Sequence, residues 1–299
     1  MPFSFMKLQG IFPALTTCFD HHGSLYKAKV FHNIERLNAI GLGGYTVCGS
    51  TGETPLLSSS ERLQLMGWIK EASAPGKVLI AGVGAESVHE TVRMANEAAA
   101  LGYDAALVLT PFYYRNQMHR PETQTLFFRA VADQSKIPVL LYNIPQVTGY
   151  DLLTDTIAEL SHHLNIAGMK DSSGDMQKLS QVIPAVKPGF QIVTGSGINI
   201  LNSLQRGAAG AILAIANALP YACVSIWEAF RSREMEAAQD WQNRLLPLSK
   251  LIAGQPGIPA LKYAMDLTGL YGGSPRLPFL PPAAGTKEQV ETAISDLRG

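Results

Sequence analysis

The 299-residue sequence contains few cysteines, no surplus of charge of either sign and no long hydrophobic run. Its three cysteines, Cys18, Cys48 and Cys223, cannot form a fully paired disulfide framework, and each lies in an apolar run. Buried thiols in a reducing cytosol are therefore expected. Because 24 basic residues are balanced by 24 acidic ones, the composition does not favour nucleic acid or an anionic membrane as a partner.

Membrane-spanning and secretory segments are missing as well. No window approaches the ~18 uninterrupted apolar residues of a transmembrane helix. The opening segment, MPFSFMKLQG, lacks the charged region and long apolar core of a signal peptide. We therefore expect a cytoplasmic protein without a membrane partner.

Hydrophobic residues make up 46% of the sequence, and many of them are arranged in short runs. Eight β-branched or apolar runs start near residues 12, 43, 77, 104, 138, 165, 190 and 207. Several are apolar throughout rather than alternating, which is typical of parallel strands covered on both faces. The intervals leave room for a loop and a helix after each strand. Eight such units predict an α/β fold, a closed (β/α)8 TIM barrel, with a doubly wound open sheet as the alternative.

Two of the intervening segments carry signals for the start of a helix. Ser58 and Glu61 have the spacing of a capping box, and so do Ser87 and Glu90. Gly102 stands where the second of these helices is expected to end. The buried face of that helix is expected to comprise four small or branched residues: Val88, Val92, Ala95 and Ala99.

The eighth strand ends near Asn217, and more residues follow it than a single barrel helix requires. Three segments there have the pattern of helices, and no low-complexity linker separates them from the barrel: PYACVSIWEAFRS, EMEAAQDWQNRLLPLSKLIA and IPALKYAMDLTGL. We predict a barrel over residues 1–219 and a C-terminal helical extension over residues 220–299, packed on the barrel.

In such barrels the reactive groups gather at the carboxyl ends of the strands, and Lys170 closes an apolar run at one of these ends. A free amine with a pKa of ~10.4 is mostly protonated near neutral pH, but apolar surroundings disfavour the charged form. A neutral amine can attack a ketone and form a Schiff base, and the iminium then lets an adjacent C–C bond break or form. The alternative is that Lys170 reaches solvent or pairs with Asp171.

Hydroxyl groups follow two other strands. Tyr142, at the end of the fifth strand, can exchange a proton with a substrate oxygen, although an ordinary strand tyrosine is the alternative. In GSTGE, after the second strand, backbone N–H groups can hold a carboxylate, and Ser50 or Thr51 can pass a proton to Tyr142. Gly49 and Gly52 would let a ligand approach the main chain, but this segment is also ordinary loop material.

Two further patterns carry weaker signals. TGSGINI, after the seventh strand, has the composition of half a phosphate site, but the eighth strand has no glycine-rich partner turn. His162 and His163 have no acidic or cysteine partners at ligand spacing, so we expect the polar end of a helix there and no metal site.

The motifs at the strand ends occur together, and in this order, in a known family. They are GSTGE, TPFYY, YNIPQVTG and GMKDSSGD. Through them the chain resembles, over nearly its whole length, the dihydrodipicolinate synthase/N-acetylneuraminate lyase family of class I, pyruvate-dependent aldolases. The resemblance implies a lyase that needs no cofactor or metal and holds pyruvate as a covalent Schiff base. It also implies a homo-oligomer, a tetramer built as a dimer of dimers.

The resemblance implies catalytic roles for four residues. Lys170 matches the Schiff-base lysine, and Tyr142 matches the tyrosine that donates and accepts protons. Ser50 matches the hydroxyl of the proton relay. Tyr113 matches the relay tyrosine that a neighbouring subunit supplies.

The resemblance implies substrate-binding roles for four more residues. Thr51 matches the residue whose main chain binds the pyruvate carboxylate, and Gly52 lies beside it. Ile212 matches a residue of the eighth strand that touches pyruvate through its backbone, and Ser172 is placed in the same group. Pro145 and Gly195, by contrast, fit structural positions of the motifs.

One departure concerns the second substrate. The synthase that makes the lysine precursor carries an arginine two residues after the proline of its YNxP motif, where it binds the carboxylate of aspartate semialdehyde. Val147 occupies this position here and cannot make the bidentate contact. Another arginine, such as Arg115 beside TPFYY, is an alternative source of that contact.

Four segments are similar to those of the 4-hydroxy-2-oxoglutarate aldolase branch: LSSSERL, ALGYDAALVLTPFYYRNQM, NIAGMKDSSGD and GIPALKYAMDLTGLYGG. That branch, however, tends to have Asn at the position of Thr51 and Ser at that of Asn143. Aldolases of 2-keto-3-deoxy sugar acids share much of the pattern. We therefore expect a lyase that cleaves or forms a 4-hydroxy-2-oxo acid from pyruvate and a small aldehyde or 2-oxo acid. The alternatives are a 4-hydroxy-tetrahydrodipicolinate synthase, which condenses pyruvate with aspartate semialdehyde, and a barrel that binds a ligand without catalysis.

Overall fold

Eight parallel strands form the centre of the computed structural model, which describes residues 7–298. The strands are β1 (Gly10–Pro13), β2 (Gly44–Val47), β3 (Val78–Gly82), β4 (Ala105–Leu109), β5 (Val139–Asn143), β6 (Ile166–Asp171), β7 (Gln191–Thr194) and β8 (Gly210–Leu213). Each of the eight predicted apolar runs overlaps one of them.

Closure of the sheet into a barrel follows from its strand order. Strands β2 to β8 pair in sequence, and β8 pairs with β1. At the remaining seam, between β1 and β2, the Leu15 N–H donates to the Thr46 carbonyl at 2.8 Å and the Gly43 N–H to the Ile11 carbonyl at 3.0 Å. The prediction of a (β/α)8 TIM barrel is confirmed, and the open-sheet alternative is wrong.

Helices follow the strands in alternation. They are α1 (Lys27–Asn38), α2 (Ser59–Ala72), α3 (Val88–Ala100), α4 (Arg115–Met118), α5 (Pro121–Gln134), α6 (Pro145–Thr148), α7 (Thr154–Ser161), α8 (Met176–Ala185), α9 (Ile200–Gln205), α10 (Pro220–Arg231), α11 (Met235–Ala253), α12 (Ile258–Leu267) and α13 (Ala284–Arg298). The short helices α4 and α6 lie in the loops after β4 and β5, so they border the carboxyl ends of the strands, called here the barrel mouth.

The two predicted capping boxes form to different extents. At α2 the box is complete, because Ser58 Oγ accepts from the Glu61 N–H and the Glu61 carboxylate accepts from the Ser58 N–H. At α3, Ser87 Oγ accepts from the Glu90 N–H, but the Glu90 carboxylate binds the Arg93 guanidinium instead. A charged partner one turn along the helix thus takes the place of the second capping contact.

The buried face of α3 differs from the predicted one. Of the four predicted residues only Ala95 is fully buried, and the others pack partly against the core. Met94 occupies the centre of the real buried face, together with Thr91, Ala95 and Ala98. Thr91 can be buried because its hydroxyl donates to the Ser87 carbonyl at 2.8 Å. As predicted, Gly102 follows the end of the helix, and its φ of +80° is readily adopted by glycine.

Apolar side chains form two separate buried clusters. Successive strand residues face opposite sides of a sheet, and in β4 Ala106 and Val108 pack towards the helices while Ala105 and Leu107 do not. The smaller cluster therefore fills the barrel interior: Leu8, Phe12, Ala14, Ile80, Ala105, Leu107, Leu140, Tyr142, Val193 and Ile212. Two predicted site residues, Tyr142 and Ile212, thus project into the barrel.

Four helices follow the last strand, one more than predicted. Helix α10 contacts α11 and β1, and α13 contacts α11 and α12. The prediction missed α13 because only a narrow stripe of it is apolar and buried: Val290, Ala293 and Ile294. The boundary between a barrel over residues 1–219 and an extension over residues 220–299 stays a prediction.

The cysteine prediction is confirmed in its structural part. Cys18, Cys48 and Cys223 are all free and buried. Burial raises the pKa of the Cys18 and Cys48 thiols to about 12, so their reactive thiolate form is scarce near neutral pH. Separately, none of the helices described for residues 7–298 is long and apolar enough to span a bilayer.

Helix α5 allows a matched test of the packing. Phe128 is fully buried, whereas Leu126, two residues earlier, is exposed. Phe128→Ala should lower the free energy of unfolding by about 3–5 kcal/mol, because it leaves a cavity. Leu126→Ala should change it by no more than about 0.5 kcal/mol. Urea denaturation of both variants measures the difference, and equal losses would contradict the placement of α5.

Candidate active site

Lys170 and Tyr142 lie side by side at the barrel mouth. They occupy paired positions on β6 and β5, and both side chains are 4% exposed. Lys170 Nζ lies 4.3 Å from the centroid of the Tyr142 ring. The structure therefore brings the two main predicted catalytic residues into direct contact.

A close approach of β7 to β6 depends on Gly195. Its N–H donates to the Asp171 carbonyl at 2.6 Å. A Cβ at this position would lie 1.9 Å from Ser172 Oγ and 2.9 Å from Lys170 Cε, distances that no side chain tolerates. Any other residue here would displace Lys170 or Ser172, which gives a physical reason for the predicted structural role of Gly195.

The neighbouring carboxylate of Asp171 does not pair with Lys170. Its oxygens accept from Asn143 Nδ2 at 2.8 Å and from Ser173 Oγ at 2.7 Å. None of the ion pairs found among residues 7–298 involves Lys170, and its side chain does not reach solvent. Both forms of the structural alternative for Lys170 are therefore wrong.

Sequence reasoning missed the contact between Asn143 and Asp171. Both residues are buried, and Asn143 Oδ1 also accepts from the Leu152 N–H at 3.0 Å. The signal was present, since a polar residue follows Tyr142 on β5 and another follows Lys170 on β6, at paired positions. The pair fixes the ends of the two strands that carry the site.

Ser50 approaches Tyr142 from the loop after β2. Ser50 Oγ lies 3.4 Å from the Tyr142 hydroxyl, a long hydrogen bond in which either group can donate. Residues Ser50–Gly52 form a 3-10 turn, in which the Gly52 N–H donates to the Gly49 carbonyl at 3.0 Å. Thr17 Oγ1 donates to the Gly52 carbonyl at 2.6 Å and holds the turn against the barrel.

The surroundings of Tyr142 suit proton exchange. Burial alone raises the pKa of its phenol, but the positive charge of Lys170 and hydrogen bonds with Ser50, Ser172 and Lys170 lower it. The net pKa lies below the ordinary value of a tyrosine. A phenol shifted in this direction loses and regains a proton more readily near neutral pH.

The predicted substrate-binding residues surround the same pair. Ser172 contacts Tyr142, and Ile212 lies with Tyr142 in the barrel interior. Thr51 is partly exposed in the turn. Gly52 is constrained by packing, because a Cβ there would lie 3.0 Å from the Leu15 carbonyl oxygen. The roles of these four residues in holding substrate stay predictions.

Within a single chain, Tyr113 lies apart from the other predicted site residues. Its side chain is 76% exposed, and its ring meets only the edge of Tyr114, with the centroids 5.0 Å apart. Its backbone N–H donates to the Glu86 carboxylate at 3.0 Å. Tyr113 thus lies on the outer surface of the barrel mouth, and its role in the site of a neighbouring subunit stays a prediction.

A buried ion pair behind the Ser50 turn was also missed. Glu53 Oε1 lies 2.7 Å from Lys262 Nζ on α12, and the two side chains are 0% and 1% exposed. The Arg276 N–H donates to Glu53 Oε2 at 2.8 Å, and Lys262 donates to the Ser274 carbonyl at 3.1 Å. The sequence signal was a single lysine within the apolar segment IPALKYAM.

The histidine pair lies away from this site. His162 directly follows α7, as predicted, and His163 Nε2 lies 2.9 Å from Asp133 Oδ1. Among the described residues, no group of three or more His, Cys, Asp or Glu side chains has the geometry of a metal site.

Comparison with known sequences connects this geometry to one family. The model of the dihydrodipicolinate synthetase family matches residues 7–297. The 4-hydroxy-tetrahydrodipicolinate synthase of Methanothrix thermoacetophila is 33% identical to this chain, over 97% of the chain and 98% of its own length. The synthase of Hyphomonas neptunium is 34% identical, over 96% and 97%.

Solved structures agree with this relationship. The dihydrodipicolinate synthase DapA-2 of Bacillus anthracis superposes with a TM-score of 0.92 at 26% identity, covering 97% of this chain and 98% of its own. YagE of E. coli K12, a member of the dihydrodipicolinic acid synthase family solved in complex with pyruvate, gives 0.91 at 28%, covering 97% and 99%. By sequence and by structure, this chain belongs to the dihydrodipicolinate synthetase family of pyruvate-dependent class I aldolases.

Proposed function

We propose that this protein is a lyase that cleaves a 4-hydroxy-2-oxo acid to pyruvate and an aldehyde through a Schiff base on Lys170. One observation carries the Schiff base in this proposal, and Val147 carries the choice of reaction. Three lysines are buried among the described residues, and two of them pair with carboxylates, Lys178 with Asp151 and Lys262 with Glu53. Lys170 has a phenol beside it instead. An amine without a carboxylate partner is free to act as a nucleophile.

The first step joins substrate and enzyme. The neutral Nζ of Lys170 attacks C2 of the 2-oxo acid, and the carbonyl oxygen leaves as water to give an iminium. Tyr142 donates a proton to the departing oxygen, and Ser50, 3.4 Å away, passes a proton to Tyr142 in turn. Backbone N–H groups of the turn at Thr51 hold the C1 carboxylate.

The second step breaks the C3–C4 bond. Tyr142 first returns a proton to Ser50, and the resulting phenolate takes the proton of the 4-hydroxyl. C4 becomes the aldehyde carbon, and the bonding pair moves through C3 to the iminium nitrogen as an enamine. Protonation of the enamine at C3 and hydrolysis by water release pyruvate and free Lys170. Each step needs only proton transfers and water, so no metal or organic cofactor takes part.

The second candidate reaction is the condensation of pyruvate with aspartate semialdehyde. The relatives from Methanothrix thermoacetophila and Hyphomonas neptunium are both named as that synthase, which favours this candidate. Val147 argues against this candidate, because its side chain, 44% exposed on α6, cannot bind a carboxylate. The two candidates share the Schiff base and differ in the acceptor.

Assembly belongs to the same proposal. Exposed Tyr113 completes the relay of a neighbouring chain, and the working unit is a homo-oligomer, a dimer of dimers. A monomer would leave Ser50 without the tyrosine that continues its proton path.

Trapping experiments test the Schiff base. Pyruvate with borohydride should add one reduced adduct per chain at Lys170, which peptide mass spectrometry locates. Lys170→Arg should abolish the adduct, because a guanidinium does not form the imine. Lys250→Arg, at the exposed end of α11, should leave it intact. An adduct at another lysine would contradict the mechanism.

Light scattering during turnover tests the assembly. Active protein should have a mass larger than one chain at assay concentration, because Tyr113 acts in a neighbour's site. Tyr113→Phe should lower kcat by about 10²–10⁴-fold, the usual effect of losing a proton-transfer group, while the mass stays unchanged. A fully active monomer would contradict the proposal.

Kinetic comparison of the two reactions decides the acceptor. A charge-assisted hydrogen bond is worth about 1.5–3 kcal/mol, so its absence at Val147 should slow semialdehyde condensation by about ten- to a hundred-fold. Cleavage of a 4-hydroxy-2-oxo acid should therefore have the higher kcat/KM, and Val147→Arg should narrow the gap. If condensation is faster by a wide margin in the natural protein, the second candidate is correct.

A further inference from the structure

The turn that carries Ser50 has a left-handed backbone conformation at both ends. Cys48, two residues before Ser50, and Glu53, which follows Gly52, both have a φ of +56°, although neither is a glycine. L-residues rarely adopt this region, and a residue stays in it only where its surroundings hold it there. The contacts of Glu53 therefore help to decide where the turn lies, and where Ser50 lies with it.

Glu53 connects this turn to the C-terminal helices. Its N–H donates to the Ser50 carbonyl at 3.1 Å, which closes the turn. Its carboxylate binds residues beyond the barrel: Oε1 lies 2.7 Å from Lys262 Nζ on α12, and Oε2 accepts from the Arg276 N–H at 2.8 Å. A single residue, Glu53, thus stands between the Lys262 ammonium and the backbone of Ser50.

Three groups surround the Lys262 ammonium. Besides the Glu53 carboxylate, they are the Ser274 carbonyl, which accepts from Nζ at 3.1 Å, and the Phe19 ring, whose centroid lies 4.7 Å from Nζ. Burial lowers the pKa of Lys262, and the charge of Glu53 counters this effect. Each ion therefore depends on the other, because an unpaired charge at this depth is costly.

Lys262 can act on the reacting groups only through this turn. Its polar contacts among the described residues include none with Ser50, Tyr142 or Lys170. The Ser50 hydroxyl responds strongly to a displacement of the turn, because its 3.4 Å separation from the Tyr142 hydroxyl is already long for a hydrogen bond. A small shift of the turn would break this bond and leave Lys170 in place on β6.

We propose that Lys262 is a positioning residue of the proton relay, which keeps the Ser50 hydroxyl within reach of Tyr142 by fixing Glu53. This inference rests on the relay in the proposed function, and it applies to both candidate reactions, because both begin with the Schiff base. Loss of the ammonium leaves Glu53 buried without its partner, so the turn shifts to bring the carboxylate towards water. The relay then fails although every group that touches the substrate is present.

The rate of Schiff-base formation tests this inference without a second substrate. Samples taken at intervals after the addition of saturating pyruvate are quenched with borohydride, which reduces the imine on Lys170 to an adduct that mass spectrometry counts. Lys262→Met should lower the rate by about 10²-fold, the low end for loss of a proton-transfer group. In a Ser50→Ala background the same change should alter the rate by no more than about two-fold, because the relay is already absent.

Lys178→Met is the matched control for loss of a buried lysine. Lys178 also pairs with a carboxylate, that of Asp151, but its described polar contacts do not include the Ser50 turn. Its replacement should therefore change the rate by the same factor with Ser50 present and with Ser50→Ala. An additive result of this kind is what a purely structural loss produces.

The pH dependence of the same rate is a second measurement. The hydrogen bond with Ser50 is one of the causes that lower the pKa of the Tyr142 phenol. Its loss should therefore move the limb of the profile that belongs to the phenol to higher pH. Lys262→Met and Ser50→Ala should shift the limb equally, and the double variant should shift it no further. An unshifted limb in Lys262→Met would contradict the inference.

The outcomes separate this inference from the proposed function. If Lys262→Met slows adduct formation by the same factor with and without Ser50, the lysine is merely structural and the inference is wrong. If the adduct forms but no 4-hydroxy-2-oxo acid is cleaved, the proposed reaction fails while the cycle still decides the inference. If the natural protein forms no adduct at Lys170, both fail.

A second variant covers the case in which circular dichroism shows that Lys262→Met does not fold. Glu53→Gln then takes its place in the cycle. The amide still accepts from the Arg276 N–H but no longer forms the ion pair with Lys262. It should slow adduct formation in the presence of Ser50 and change it by no more than about two-fold with Ser50→Ala. Equal effects in the two backgrounds would again overturn the inference.

Discussion

Burial of one amine beside a phenol, rather than beside a carboxylate, is the constraint on which the site depends. A buried charge is costly unless it is paired, so the fold must keep the nearest carboxylate occupied elsewhere. It does so through strand alternation, because Asp171 faces away from Lys170 and binds Asn143 and Ser173. The pairing of β5 with β6 then sets Tyr142 against the amine.

Glycine at one strand end permits this arrangement. With Gly195, β7 comes close enough to hold Ser172 and Lys170 against Tyr142. The turn after β2 brings Ser50 from the opposite side of the barrel mouth. Backbone geometry, more than side-chain chemistry, therefore decides how near the reacting groups stand. The same proximity lowers the pKa of the Tyr142 phenol despite its burial.

Local patterns predicted most of the fold and the centre of the site. Apolar runs located the strands, and a lysine and a tyrosine at strand ends converge because parallel strands end on one side of a barrel. Such patterns do not predict contacts between segments that are far apart in the sequence. The pairing of Glu53 with Lys262 and the packing of Arg115 on Gly149 depend on how helices and loops close around the barrel. The buried face of α3 was misplaced for a related reason, since the residues that are buried, including Met94, depend on how α2 and α5 pack against the helix.

The buried pair of Glu53 and Lys262 has a consequence for the evolution of such barrels. One member belongs to the turn that carries Ser50, and the other belongs to α12, far beyond the eighth strand. A barrel that lost α12 would keep an unpaired carboxylate under its catalytic turn. Exchange of the C-terminal helices of this chain therefore requires that the incoming segment also supply a partner for Glu53. Recombination at the apparent end of the barrel is constrained by this one contact.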